Sequence, residues 1–577
     1  MSEHYLDRIH CPADLKQLPE EQLPALAQEI REALFQRFDA TGGHFGSNLG
    51  TVELETALHY VFDSPRDKFV FDVSHQCYTH KILTGREAFV QPGQYLKYSG
   101  YTNPEESEHD PFKIGHTSTS ISLAVGLAKA RDLKGEKNNI IAVIGDGSMS
   151  GGEAFEGLNN AALLGSNFIV VFNDNEMSIA VPQGGMYQNF AELRQSKGTC
   201  PNNFFKAMGM DYRYVEDGND FAQLLAALRE VKDIDHPIVL HVHTQKGLGS
   251  EWAKTHQEDC HWVMPKDFVP SQEPDINSLT ADFLMKKIQA DPTVIAVNAA
   301  TPGAMSLTQE WRDQAGAQFV DVGIAEEHAV AFISGLAKGG AHPVFLVFGS
   351  FLLRTCDQLM QDLALNKNPA VILVYSAGIS GGDATHNGTY ATALENMIPN
   401  VKVFSPYLTE DYFRILDWAM TQREYPVIIN VPRAIHTGTG TFDPAVLDAC
   451  PIVKEGKDAA LIGFGKFRAV AEKAAGILKA QGIDAAVAAP VMLGSVNAAA
   501  LDKLASSCKV VATLEDGMLA NGTGREVAAY YGTSPVKVLN FGAEKEYLDR
   551  FGNDAALERY SLSPEKVAAR VAQELAR

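Results

Sequence analysis

Two short polar clusters, each placed directly after an apolar run, carry the first recognisable chemistry. Gly145-Asp146-Gly147 follows Ile140-Ile-Ala-Val-Ile144, and Asn173-Asp174-Asn175 follows Phe168-Ile-Val-Val-Phe172. The Asp146 carboxylate and the Asn175 amide oxygen suit a hard divalent cation, and the backbone carbonyl of Met177 would add a third oxygen. A Mg2+ ion in so sparse a protein site completes its shell with phosphate oxygens, so the pattern implies a diphosphate ligand as well. Taken singly, each cluster is also ordinary turn chemistry. A dinucleotide fingerprint fails at its third glycine position, where Ser150 stands.

Oxygen ligands at the ends of two β-rich runs, with helical sequence between, call for parallel strands and a site at their carboxyl edge. Such runs alternate with amphipathic stretches along nearly all of the 577 residues. The expected class is therefore α/β, with three doubly wound domains of descending size built on largely parallel sheets. A Pro-rich polar stretch near 264–278 and a Thr/Gly-rich break near 434–457 divide the chain into expected domains 1–270, 278–435 and 456–577.

The formal net charge of −22 argues against a general nucleic-acid binder. An anionic ligand must then be held locally, by a metal, helix N-termini and a few basic groups. The seven cysteines are scattered without a CxxC, which fits a reducing compartment and gives no readable zinc site. The N-terminus lacks the basic and apolar regions of a signal peptide, and no apolar stretch approaches a membrane span, so a cytoplasmic location is expected.

Four further segments occur with the metal pair: His44-Phe-Gly-Ser-Asn-Leu-Gly50, Asp72-Val-Ser-His75-Gln-Cys-Tyr-Thr-His80-Lys81, Gly115-His116-Thr-Ser118-Thr-Ser, and Ile324-Ala-Glu326-Glu327-His328. In this order and over nearly the whole chain, they resemble the 1-deoxy-D-xylulose-5-phosphate synthase family of the transketolase superfamily. The resemblance implies a transketolase-like fold: a diphosphate-binding domain, a pyrimidine-binding domain and a smaller C-terminal domain, in a homodimer that uses thiamin diphosphate (ThDP) and Mg2+. Glu326 then matches the glutamate that shares a proton with the pyrimidine N1′ of the cofactor, a task for a largely dehydrated carboxyl group. His44, His75 and His116 match positions facing substrate or diphosphate. Gly147, Ser118 and Lys246 fall on the diphosphate side, with His261 a weaker match in the same region. Phe351 matches the aromatic that stacks on the pyrimidine. Arg354 continues that motif, and Arg433 matches an arginine for the acceptor's phosphate. Each of these residues also has a plain structural reading: a hydrogen-bonded buried histidine, a solvated lysine or a core phenylalanine.

The chain departs from the family pattern where the acceptor is expected. Tyr375-Ser376-Ala-Gly-Ile stands in place of Asp-Arg-Ala-Gly-Ile, so a second arginine for the acceptor phosphate is a serine here. One charge-assisted contact of roughly 1.5–3 kcal/mol is missing. The segment bearing Asp383 and His386, both expected to be catalytic, is one residue short, and Phe348 replaces a tyrosine. The expected activity is a decarboxylating ligation of pyruvate to an aldehyde, with acceptor recognition altered. Ketol transfer between sugars is the alternative enzyme reading, and a non-catalytic ThDP-binding protein the alternative of another class. The expected partners are small molecules, with no nucleic acid and no membrane.

Overall fold

Short Val/Ile/Phe-rich runs that are apolar on both faces form strands only where helices cover both sides of a sheet. A computed structural model shows this arrangement three times over; it describes residues 4–271 and 273–577. The chain divides into two compact units, Met1–Ser271 with Gly323–Ala325, and Gln272–Val322 with Glu326–Arg577.

The first unit is built on β1 (Lys68–Phe71), β2 (Ile140–Gly145), β3 (Phe168–Asp174), β4 (Asp211–Val215) and β5 (Pro237–His243), in spatial order β1-β2-β3-β5-β4 and parallel throughout. Period-2 alternation splits its side chains into two layers. Phe69, Ile141, Val143, Ile169 and Val171 enter one core, whereas Val70, Ala142, Ile144, Val170 and Phe172 enter the other. The register sets Gly145 opposite Asn173, so the residues that follow β2 and β3 emerge side by side at the carboxyl edge.

The second unit holds β6 (Val294–Asn298), β7 (Phe319–Asp321), β8 (His342–Phe348), β9 (Val371–Tyr375), β10 (Lys402–Phe404) and β11 (Val427–Asn430). It also holds β12 (Ile452–Lys454), β13 (Ala459–Gly463), β14 (Ala485–Ala488), β15 (Met492–Leu493), β16 (Val510–Met518) and β17 (Lys537–Ala543). Two sheets result, ordered β15-β10-β11-β9-β8-β6-β7 and β12-β14-β13-β16-β17. Among the described strands, the short β15 and β12 alone run antiparallel to their neighbours, β10 and β14. The expected α/β class with largely parallel sheets is what forms. One feature is invisible in the linear pattern: β15, from the C-terminal segment, closes the edge of the middle sheet. The two sheets also share one core, in which Phe345, Ile372 and Ile428 belong with Ala460, Ile462 and Val511. No described helix is long and apolar enough to cross a membrane.

A buried polar network in the first unit fixes the segment that carries His75. Asn48 Nδ2 donates to the His75 carbonyl at 2.8 Å, and Asn48 Oδ1 accepts from Tyr78 N at 3.0 Å. The helix that follows, Tyr78–Leu83, is held by Glu55, which accepts from His80 N at 2.6 Å and from Thr51 Oγ1 at 2.9 Å. His80 in turn contacts Asp110 at 2.6 Å, and Arg86 grips the same carboxylate. Burial pushes the Glu55 carboxyl up from 4.5 to about 8. A carboxyl raised by folding stabilises the fold fully below its unfolded value, near 4.5, and loses that contribution as pH rises through about 8. Glu55→Gln should therefore be more resistant to urea than the wild type at pH 9, by on the order of 3 kcal/mol, with the advantage gone at pH 5. Urea titrations at the two pH values check this, and an advantage of equal size at both would contradict it.

Candidate functional site

In the first unit the site begins where β2 ends. Asp146 is 2% exposed; its Oδ1 accepts from Gly147 N at 2.9 Å, while its buried Oδ2 has no hydrogen-bond partner among the described residues. Burial, and then the nearby charge of Asp174, push the Asp146 carboxyl well above its usual range. Asp174 behaves oppositely. Burial alone would raise it, but His241 at 2.9 Å and Arg194 at 2.5 Å outweigh that and bring it down to about 2. Two carboxyl groups with opposed environments thus lie at one sheet edge, and only Asp146 lacks a cationic partner in contact. Bound positive charge would keep it ionised.

Neighbouring groups complete this corner. The Ser178 hydroxyl is buried without a partner among the described residues, and a Cβ placed on Gly147 would lie 2.7 Å from it. Only glycine at 147 leaves that space open. Lys246, 2% exposed, donates from Nζ to the Ser178 carbonyl at 2.8 Å, and burial pushes its ammonium group down. Asn175 Oδ1 accepts from Met177 N at 3.1 Å, which shapes the turn after β3. The Tyr187 hydroxyl donates to the Asp146 carbonyl at 3.0 Å. An orphaned buried carboxylate oxygen, an unpartnered hydroxyl and a glycine-lined space fit a hard cation with a phosphate ligand.

Ser118 takes a structural place beside this corner. It has φ +73°, its hydroxyl donates to the Ser148 carbonyl at 2.7 Å, and its N–H donates to Asp72 at 2.8 Å. Asp72 also accepts from Ser120 N at 2.9 Å, fixing the start of the helix Ser120–Lys134 just past half-buried His116. The structure draws three of the histidines together. His44 and His75 have ring centroids 4.8 Å apart, and His261 lies 5.5 Å from His44 and 5.3 Å from His75. Trp262 and Tyr101 close on His44 at 4.7 and 5.9 Å. Burial and the Lys246 charge push the His261 imidazole well below its ordinary value, which keeps it neutral, with one ring nitrogen a donor and the other an acceptor.

In the second unit, Glu326 opens the helix Glu326–Lys338 and is 2% exposed. Its Oε2 stands 3.5 Å from Arg354 Nη1, too long for a hydrogen bond, and has no other partner among the described residues. Burial pushes this carboxyl up and the Arg354 charge opposes it in part. Phe351 packs edge-on against Phe348 at 5.9 Å and against His386 at 5.6 Å. Asp383 accepts from Thr385 N at 2.9 Å and so caps the turn that carries exposed His386. Arg433 Nη2 donates to the carbonyls of Ala377 at 3.0 Å and Ser376 at 3.4 Å. Ser376 itself is exposed with φ +54°. Ser178 and Tyr187 carry no signal in the sequence. A serine or tyrosine inside a loop carries no pattern that separates it from ordinary loop residues.

Family models match along the chain: 1-deoxy-D-xylulose-5-phosphate synthase over residues 6–200 and 194–244, the transketolase pyrimidine-binding domain over 272–437, and the transketolase C-terminal domain over 448–567. Relatives include 1-deoxy-D-xylulose-5-phosphate synthase 1 of Geobacter sulfurreducens, 37% identical over 94% of this chain and 93% of that one. The 1-deoxy-D-xylulose-5-phosphate synthase of Symbiobacterium thermophilum is 36% identical over 98% and 94%. That of Chlorobaculum tepidum is 34% identical over 98% of both chains. Among solved structures, a transketolase from Leishmania mexicana aligns over 97% of this chain and 98% of that one, at 15% identity and a TM-score of 0.44. The sequence relatives carry the assignment. At 34–37% identity over nearly its whole length, the chain belongs to the 1-deoxy-D-xylulose-5-phosphate synthase family and is a ThDP-dependent transferase of the transketolase type.

Proposed function

We propose that this enzyme joins the two-carbon unit of pyruvate to the carbonyl carbon of an aldehyde, with glyceraldehyde 3-phosphate as the acceptor the family implies. The bond from the pyruvate keto carbon to its carboxylate breaks and CO2 leaves. The same carbon bonds to the aldehyde carbon, the aldehyde oxygen takes up a proton, and the product is 1-deoxy-D-xylulose 5-phosphate. ThDP, when bound, supplies the electron sink that lets pyruvate lose CO2 and its keto carbon act as a nucleophile. The observation that carries this reading is Glu326: a buried carboxyl group, raised by burial, with an oxygen left over for a ligand's ring nitrogen.

The remaining residues bind, orient and move protons. Asp146, Asn175 and the Met177 carbonyl would hold Mg2+, with Gly147, Lys246, His116 and the Ser118 turn on the diphosphate side. Phe351 would orient the pyrimidine. His44, His75 and neutral His261 would meet the acceptor's oxygen, where imidazole N–H and N groups can donate or accept a hydrogen bond. His386, held by the turn that Asp383 caps, and the positively charged Arg354 and Arg433 serve the substrate. A homodimer is the assembly we infer from the family.

CO2 release from pyruvate with ThDP and Mg2+, measured without acceptor, with glyceraldehyde 3-phosphate, and with glyceraldehyde, tests the reaction. Release that rises sharply with an aldehyde is expected. No release under any condition, together with ketol transfer from a sugar donor, would replace this reading by transketolase-type chemistry. Glu326→Gln should lower turnover by about 10²–10⁴-fold, the range of a lost proton-transfer group, while leaving the melting temperature within a degree or so. Near-normal turnover would remove Glu326 from the chemistry. Asp146→Asn should weaken Mg2+-dependent retention of ThDP by about tenfold or more, corresponding to one lost charged contact, as read by tryptophan fluorescence or calorimetry. In the wild type, retention should also weaken as pH falls, because protonation of Asp146 competes with the cation. Retention that is indifferent both to Asp146→Asn and to EDTA would contradict the metal site.

A further inference from the structure

A cavity of about 150 Å³ opens in the second unit at the carboxyl ends of β9 and β11, next to the segment where Ser376 stands in place of the family's arginine. Its wall includes Arg433, Lys466, His436 and Asn430. Lys466 comes from the C-terminal segment, at the start of the helix Phe467–Ala480. Its Nζ donates to the Ile379 carbonyl at 2.5 Å and pairs with Asp516 at 3.0 Å, and Asp516 also accepts from Ile379 N at 2.7 Å. The segment 376–379 is therefore held from both sides, by Arg433 on the carbonyls of Ser376 and Ala377 and by Lys466 and Asp516 on Ile379.

Both cations keep donors in reserve. A guanidinium group has further N–H groups beyond the nitrogen that Arg433 uses, and an ammonium group has a proton beyond the two contacts of Lys466. Asp516 offsets one positive charge, which leaves the pair with an excess of about one, suited to a phosphate monoester held by charge-assisted bonds. The Asn430 Nδ2 group donates to Glu395 at 2.9 Å, while its buried Oδ1 has no partner among the described residues and can accept from a hydroxyl group. Tyr407 stacks on His436 at 4.2 Å and closes the far wall. The cavity also adjoins the expected cofactor side: a Cβ on Gly349, two residues before Phe351, would lie 3.2 Å from Ala377 Cα.

We propose that Lys466, together with Arg433, holds the phosphate of the acceptor aldehyde in this cavity, as a specificity-determining residue that takes over the task of the arginine missing at 376. The inference rests on the proposed reaction, yet it can be read without turnover. In calorimetry on the holoenzyme, glycerol 3-phosphate, an acceptor analogue without the aldehyde, should bind at least tenfold more tightly than glycerol. Lys466→Met should remove most of that preference, and Lys466→Arg should restore part of it. In kinetics, Lys466→Met should lower kcat/KM for glyceraldehyde 3-phosphate at least tenfold relative to kcat/KM for glyceraldehyde, mainly through KM. If Lys466→Met depresses both acceptors alike, the lysine only clasps 376–379 and the proposal falls. Equal wild-type affinity for glycerol and glycerol 3-phosphate also overturns it, as does affinity for inorganic phosphate equal to that for glycerol 3-phosphate, which would mark a free-anion site. If no aldehyde supports CO2 release, the proposed reaction fails on its own, and the calorimetry alone decides the role of Lys466.

Discussion

Placing an ionisable oxygen at the edge of a parallel sheet, out of water and without a partner, is the constraint on which the first unit depends. Asp146 meets it because β2 is buried along its length and ends next to β3 in a register that sets Gly145 opposite Asn173. The carboxylate cannot retreat to solvent, and Asp174, already committed to His241 and Arg194, makes its ionisation harder. A cation bound at this corner, as proposed, would relieve a cost that the fold itself creates. Gly147 belongs to the same economy of space, since a side chain there would fill the room beside Ser178.

The second unit repeats the theme with different chemistry. Glu326 is buried at the beginning of a helix, where backbone N–H groups favour negative charge, yet burial still raises its carboxyl. Arg354 stands close enough to moderate that rise and too far to satisfy the oxygen. A carboxyl group balanced in this way suits the proton-sharing role proposed for Glu326, which a fully paired salt bridge would prevent.

Much of this was legible in the sequence. The strands β1, β2, β3, β5, β8, β9 and β11 all coincide with apolar runs, because a strand covered on both faces has no polar positions to interrupt it. Asp146, Glu326 and the histidines could be named because they sit in contiguous motifs. Lys466 could not, because its relevance comes from meeting Ile379 and Asp516, residues 87 and 50 positions away. The same holds for Ser178 and Tyr187. The hydroxyl of Ser118 shows the opposite limit: the motif was visible, but its hydrogen bond to the Ser148 carbonyl is a fact of packing.

The strand β15 has a consequence for any dissection of the molecule. It comes from the C-terminal segment and lies along β10, at the edge of the middle sheet. A protein cut after about residue 450 would lose this covering strand along with the C-terminal part of a shared core, Ala460, Ile462 and Val511 among it. It would present the naked backbone of β10 to its neighbours in solution, and exposed strand edges recruit other chains. The C-terminal segment thus covers an edge that would otherwise be open to strand pairing, a consequence independent of any part it has in binding substrate.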